Sequence, residues 1–407
     1  MDIKLIQTKL GALLQGDKVI WLVIGLLAIF SVLTVYSSAE ALALRKEVDT
    51  EAFLIKHVVL LVGALMLMYI CHLVNYVKYA KISVVLLVIA IPLLVYTQLL
   101  GVTYNEATRW VKVPFVGITF QTSDFAKIAL ITYTARTLSL MQSKKIGQGE
   151  LMLPILLICG IIAPSDLSSA LILFFTCTLL MFVGRVDMRN VFSLVMLGVG
   201  AFAVLLMLAN FFPDSIRVGT WISRLSQFWT GADGNQLQVS QAQMAIAQGG
   251  FFGVGPGNAQ HAHFLPHSYS DYIYCVILEE YGTLGGLIVL ALYTTLLLRC
   301  IRLVTRSPKA FGAMLALGLC FSLVIQAFVH MAVNVNLLPV TGLTLPFVSL
   351  GGTSLLFTGI SLGIILSVSK YIETTVGEGN IGSIADQVAA NNSQMMEEAE
   401  IGEEYEE

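Results

Sequence analysis

From Ala310 to Ser369 the chain carries no Asp, Glu, Lys or Arg. A run of that length cannot lie exposed to water, and it is too long for one membrane crossing, for which about 20 apolar residues suffice. It reads as two helical crossings that turn near Asn334 to Pro346. The remaining apolar stretches follow the same logic: 19–39, 57–74, 82–105, 125–142, 151–165, 167–184, 190–213, and one that opens near Tyr272 and closes before Arg299. The weakest are 125–142, which carries Lys127 and Arg136, and 151–165, which is short. With 57% hydrophobic and 12% charged residues, the chain's main solvent has to be lipid. Its apolar runs are unbroken rather than alternating, and a backbone in lipid must satisfy its own amides, so helices are favoured over a barrel. The expected fold is all-α: a polytopic membrane protein with ten transmembrane helices and a large outer loop, about 214–270, between helices 7 and 8.

Lys and Arg in short loops are retained on the cytoplasmic side. With an inside N-terminus, ten crossings put fifteen of the 23 Lys and Arg inside and seven outside, leaving Lys127 within a span. Removing either weak span would send the basic stretch 299–309 outward. The expected organisation is a cytoplasmic segment 1–18, a membrane domain 19–370, and an acidic, disordered cytoplasmic tail 371–407. Ala39-Glu40-Ala41 mimics a cleavage site, but the run before it is long and further spans follow, so it reads as an uncleaved anchor. The six cysteines all fall in apolar spans without CxxC spacing and read as packing residues. Nothing in the composition calls for a nucleic acid partner.

Ionisable groups in or beside spans are functional candidates because burying a charge near lipid costs several kcal/mol unless it is paired. Asp271 opens the eighth span at the outer face, where it serves equally as a helix cap or as a reactive carboxylate. Glu279 and Glu280 lie two turns along, about 12 Å below it by helix rise, and read as structural carboxylates bridging helices. Arg109, Lys112, Lys127, Arg217 and Arg224 supply cations on or near the outer face, a set suited to a lipid-linked pyrophosphate. Of these, Lys112 and Arg217 read as interfacial anchors, whereas Lys127 stands at i+3 from Asp124 and can form a helix ion pair. The glycine run Gly249 to Gly257 lacks the Lys-Ser/Thr of a P-loop and reads as a flexible outer turn. His261, His263 and His267 have no deep acidic or Cys partner in that loop with which to hold zinc.

Several segments, in order, resemble the SEDS family of FtsW, RodA and SpoVE. Asn105-Glu106-Ala107-Thr108-Arg109-Trp110 and Phe120-Gln121-Thr122-Ser123-Asp124-Phe125-Ala126-Lys127 resemble its Arg-Trp and Gln-Pro-Ser-Glu-x-x-Lys blocks. Gln241 with Ala245 to Gly250, then Leu265-Pro266, Asp271-Tyr272-Ile273-Tyr274 and Glu279-Glu280-Tyr281-Gly282, resemble its central blocks. Leu338 to Gly352 resembles its closing signature almost residue for residue. The departures are Thr122 and Asp124 for Pro and Glu, Ser165-Asp166-Leu167-Ser168-Ser169 for Pro-Asp-Leu-Gly-Thr, and His330 for Asn.

The resemblance implies an inverting peptidoglycan glycosyltransferase of the bacterial cytoplasmic membrane that polymerises lipid II at the outer face. It implies Asp271 as the catalytic base. For substrate binding it implies Lys56, Arg109, Gln121, Asp124, Lys127, Asp166, Arg224, Gln241, Glu280, His330, Ser349 and Gly351, with a divalent cation, Mg or Mn, as a possible aid. The implied partners are lipid II, undecaprenyl-pyrophosphate-linked glycan, a class B penicillin-binding protein and other division proteins. A division role is favoured over elongation. A lipid II flippase and a non-catalytic division scaffold stand as alternatives.

Overall fold

The computed structural model describes residues 14–46, 50–104, 107–112, 119–142, 149–209, 218–230, 236–261, 264–265, 267–307 and 309–375. The start of the chain, the apolar outer stretch 113–118, Asn105, Glu106, Arg217, His263, Pro266 and the tail beyond 375 lie outside them.

The described elements run α1 Lys18–Lys46, α2 Thr50–Leu73, α3 Val77–Leu100, β1 Val102–Tyr104, β2 Ala107–Lys112, β3 Thr119–Gln121, α4 Thr122–Gln142, α5 Gly149–Ile162, α6 Leu167–Val183, α7 Met188–Ala209, α8 Val218–Thr230, α9 Gln236–Gly249, α10 Ile273–Arg306 and α11 Ala310–Asn334, then α12 Ser354–Thr375. Among the described residues, α1, α2, α3, α7, α10, α11 and α12 are long and apolar enough to cross a membrane, and α5 and α6 are shorter apolar helices. The 21-residue α4 carries Asp124, Lys127 and Arg136.

The core is organised around α11, which packs on α10, α4 and α6. In its most apolar stretch 78% of the residues are buried, against 11% in α7, which is a peripheral helix. Asp17 ties one end of the bundle together. Its side chain accepts from Val19 N, pairs with Arg299 at 3.4 Å, and its backbone N–H donates to Ser369 Oγ at 2.7 Å, so the ends of α1, α10 and α12 share a level.

Two expectations are corrected. The fold is mostly helical but not all-α: β1, β2 and β3 form an antiparallel sheet in that order, pairing Val102 with Trp110 and Trp110 with Gln121. Thr, Val, Trp and Phe are strand-forming residues, and segments this short are invisible to a search for long apolar runs. Among the described residues, the stretch 214–270 holds α8 and α9.

The second correction concerns the glycine run, which is a packed seam rather than a flexible turn. Helix α10 breaks at Gly282 (φ 66°, ψ −171°), a conformation open to glycine. Into that break fits the chain after α9. Val254 N donates to Glu279 O and Gly255 N to Glu280 O, both at 3.0 Å, while Thr283 N and Leu284 N donate to Gly250 O and Phe251 O. Backbone lies on backbone there: a Cβ at Gly249 would run into the Leu278 carbonyl, and one at Gly253 into that of Glu280.

Contacts along α1 place the neighbouring segments in depth. At helix rise, Ser37 stands about 28 Å along α1 from Lys18 and Ser31 about 20 Å. Ser37 bonds Glu280, whereas Ser31 donates to Val348 O in the segment that holds the Asp271 turn. The chain just before Gly282 lies against α1 too, with the Tyr281 ring edge-on to Phe30 at 6.0 Å. Segment 335–353, joining α11 to α12, dips inward beside Asp271. Tyr293 Oη donates to Pro346 O, Gln326 Nε2 donates to Thr344 O at 2.9 Å, and Leu345, Phe347 and Val348 are buried. Irregular backbone at such depth is tolerated where protein surrounds it and satisfies its polar groups.

Candidate active site

Asp271 ends a tight turn. His267 adopts a left-handed φ of 59°, and its carbonyl accepts from Ser270 N and Asp271 N at 3.0 and 2.9 Å. Two strands of contact fix this turn. Leu350 N donates to Tyr269 O, and Ser349 Oγ to Ser270 O at 2.9 Å, while Leu345 N donates to Ser349 Oγ. From the other side Asn334 Nδ2 donates to Asp271 O at 3.0 Å, and Asn334 Oδ1 accepts from Cys275 N at 3.1 Å, an amide at the start of α10 that also donates to Tyr272 O at 3.0 Å.

The Asp271 side chain is half-buried and faces the closing segment: a Cβ at Gly342 (φ 71°) would stand 3.8 Å from Asp271 Oδ2. Burial pushes its carboxyl above the usual carboxylate range, against the pull of His267, a hydrogen bond from Ser270, and the charges of Arg224 and Arg109. One half-buried carboxylate, within the electrostatic reach of two arginines, is thus held by a tight turn.

Around it, Arg224 on α8 donates Nη1 to Thr341 O at 3.3 Å, one residue before Gly342. Arg109 on β2 pairs with Asp166 at 3.3 Å and donates Nε to Ser165 O at 2.8 Å. Asp166 in turn caps α6 by accepting from Ser169 N and Ser169 Oγ. Lys127 pairs with Asp124 at 3.1 Å, as the i, i+3 spacing predicts, and reaches Gln326 Oε1 at 3.4 Å. Both line a cavity of ≈ 30 Å³ walled by α4, α11 and α12. Asp124 Oδ2 is buried there without a hydrogen-bond partner. Gln121 ends the sheet and donates to Ser123 Oγ at 2.9 Å.

Other candidates stand differently. Lys56 is exposed on α2. Gln241 on α9 meets His261 Nδ1 at 3.1 Å. Glu280, His330 and Ser349 are enclosed, exposed by 1%, 1% and 2%, so as placed they hold backbone rather than face a ligand. Glu280 accepts from Ser37 Oγ and Gly257 N, joining α10 to α1, whereas Glu279 accepts from Gln260 N and His261 N and holds the chain after α9. His330 Nδ1–H donates to Leu343 O at 2.7 Å, since a carbonyl can only accept, leaving Nε2 to accept from Asn334 Nδ2 at 3.3 Å. Gly351 is half-buried beside Ser349 O, to which its N–H donates.

Two uncharged residues that a search for charges passes over matter here. They are Asn334, and His57, which is fully buried and donates Nε2–H to Ser31 Oγ at 2.9 Å while that hydroxyl binds Val348 O. The repeated Asn of Val333-Asn334-Val335-Asn336 at the end of a long apolar run was the available signal for the first.

The family model described as "Cell cycle protein", FTSW_RODA_SPOVE, matches residues 17–374. A protein named "Probable peptidoglycan glycosyltransferase FtsW" from Geobacter metallireducens is 32% identical over 367 residues, covering 88% of this chain and 96% of that one. "Stage V sporulation protein E" of Bacillus subtilis is 30% identical over 359 residues, covering 86% and 94%. Among solved structures, a chain of a peptidoglycan synthase complex, described as coordinating polymerization and crosslinking, aligns with a TM-score of 0.68 at 23% identity, covering 87% of this chain and 98% of its own. The rod shape determining protein RodA of Thermus thermophilus aligns at 0.63 and 23% identity, covering 87% and 97%.

Proposed function

Because the chain belongs to the FtsW/RodA/SpoVE family, we propose that it is a peptidoglycan glycosyltransferase that polymerises lipid II by a single inverting displacement with Asp271 as general base. The observation that carries the reading is the half-buried Asp271 carboxylate, raised toward proton affinity by burial yet flanked by Arg224 and Arg109. A base needs that balance: ionised at working pH, basic enough to accept a proton.

In the step, the 4-hydroxyl of the acceptor sugar attacks the anomeric carbon of the lipid-linked donor. The new C–O bond forms as the bond to undecaprenyl pyrophosphate breaks, the hydroxyl proton passes to Asp271, and the electron pair leaves with the pyrophosphate. An α-linked donor and a β-linked product require inversion, hence no covalent sugar intermediate. Arg224 and Arg109 are placed to stabilise the departing charge. Asp166 fixes Arg109, and Asp124 and Gln326 fix Lys127, so these groups orient cations rather than react. Among the described residues no three His, Cys, Asp or Glu converge to hold a metal. A divalent cation belongs to this proposal only as a counter-ion carried by the pyrophosphate, and no step runs through it.

We place the chain as ten crossings: the seven long apolar helices together with α4, α5 and α6. Both ends then lie in the cytoplasm at the Asp17 end of the bundle, and the Asp271 site opens toward the outer face. A class B penicillin-binding protein is the proposed partner, in keeping with the crosslinking complex whose synthase chain shares this fold, and septal wall synthesis the proposed setting, in keeping with relatives named FtsW. A flippase needs a hydrated passage, and the cavity beside Lys127, at ≈ 30 Å³, has room for only a few waters. Asp271→Asn should give no glycan polymer from lipid II while remaining folded and membrane-inserted. Polymer formation at the wild-type level by that variant removes Asp271 from the role.

A further inference from the structure

Helix α8 has two unlike faces. Trp221, Ile222, Leu225, Phe228 and Trp229 fall at i, i+1, i+4, i+7 and i+8, a single apolar stripe, with Ser223, Arg224 and Ser226 between them. Ile222, Leu225 and Trp229 are 61%, 52% and 76% exposed. Exposed apolar residues line the outer half of α7 as well, among them Phe202, Val204 and Met207. The two surfaces join: the Trp221 ring stacks on Phe202 with centroids 6.3 Å apart and planes 26° apart. The flank of α7 is clothed by lipid in any membrane-spanning reading, so the apolar stripe of α8 continues that lipid-covered surface at its outer end. Two tryptophans on one short helix are what an interfacial position favours, the ring in the acyl boundary and the indole N–H at headgroup level.

The polar side of the same helix reaches the reaction site. Arg224 donates to Thr341 O, next to Gly342 and hence to the Asp271 carboxylate.

We propose that α8 lies in the outer-leaflet interface with its Ile222–Leu225–Trp229 face bedded in lipid, and that this seat sets the height at which Arg224 is presented to the closing segment. The lipid seat stands on the geometry of α7 and α8 alone, whereas its consequence for Arg224 rests on the glycosyltransferase reading. A substrate that is itself membrane-anchored keeps its pyrophosphate at headgroup depth. A cation held by an interfacial helix is registered to the same plane, which a cation on a water-suspended loop is not.

The test uses the full chain in phosphatidylcholine–phosphatidylglycerol vesicles. The chain has 4 Trp, and the variant Trp21→Phe/Trp110→Phe/Trp221→Phe leaves Trp229 as the only reporter. Lipid brominated near the headgroup end of its chains should quench Trp229 by half or more, lipid brominated near the methyl end should quench less, and aqueous iodide should have little effect. Strong iodide quenching without bromolipid quenching would show the face standing in water, open to a protein ectodomain, and overturns the proposal. Quenching by neither agent would show the face covered by protein, which overturns it equally.

The consequence is read separately. Ile222→Ser/Leu225→Ser/Trp229→Ser should lower polymerisation in vesicles several-fold, and adding Arg224→Ala should cost little more than Arg224→Ala alone. Full additivity of the two losses separates the lipid seat from Arg224. If Asp271→Asn shows the polymerase reading to be wrong, the quenching result is untouched.

Discussion

At the scale of single residues, the site works through opposed pulls on one carboxyl. Asp271 is raised by burial and lowered by His267, Ser270, Arg224 and Arg109 in that order. A general base acts only when deprotonated, so its folded value sets the acid limb of the pH–rate profile. Arg224→Gln removes a charge that favours the carboxylate. The value should rise further and the acid limb of polymerisation should move to higher pH, by less than about one unit because Arg224 ranks behind two stronger influences. A limb that stays in place or moves to lower pH excludes Asp271 as the titrating base. Asn334→Ala removes the amide that holds both Asp271 O and Cys275 N, at a cost of about 1–3 kcal/mol in buried hydrogen bonds. Its signature should be a fall in kcat at nearly constant KM together with a displaced acid limb, whereas a merely destabilised protein would keep its profile. The charged members of this site were legible in the sequence because a charge among apolar residues is costly and therefore conspicuous. Asn334, Ser31 and His57 were not, since their importance lies in partners up to 317 residues away that no local pattern announces.

At the scale of elements, hydrophobic run length located the helices well. Predicted spans at 19–39, 57–74 and 310 onward became α1, α2 and α11, although α1 and α2 extend past the apolar runs, where the chain is still helical but more polar. Run length says nothing about short strands or about a helix that breaks. The Gly282 joint was written in the sequence as glycines on both partners, but spacing alone cannot pair them. Packing of backbone on backbone makes a sharp prediction. Gly253 (φ 85°) has no room for a Cβ beside the Glu280 carbonyl, so Gly253→Ala should destabilise the protein by on the order of 1–3 kcal/mol. Gly160, inside α5 with nothing within 4 Å of an added Cβ, is the matched control: alanine there should be neutral or gain about 0.5–1 kcal/mol. Thermal melts of the purified variants decide it, and equal melting temperatures for the two would mean that the seam is not tightly packed.

At the scale of the whole molecule, one end of the bundle is regular and the other is not. Asp17, Arg299 and Ser369 gather three helix ends at one level, and from there α1 rises past Ser31 to Ser37 while the segments carrying Asp271 and Pro346 fold back between the helices. The Asp271 carboxylate is thereby sunk below the far rim of α1, the depth that the proposed lipid-anchored substrate calls for. That arrangement requires the Asp17 end to face the cytoplasm, which the excess of Lys and Arg there favours. An even number of crossings then puts both chain ends on that side. Green fluorescent protein fused after Glu407 should fluoresce, and alkaline phosphatase at the same point should be inactive. Phosphatase inserted between Asp233 and Gly234, in the connection from α8 to α9, should be active. Activity at the end of the chain with none between α8 and α9 would invert the molecule, turning Asp271 toward the cytoplasm, where an extracellular glycan could not be built. Activity at both points would mean an odd number of crossings, and the first helix to remove from the count would be the 14-residue α5, which is the shortest of the ten.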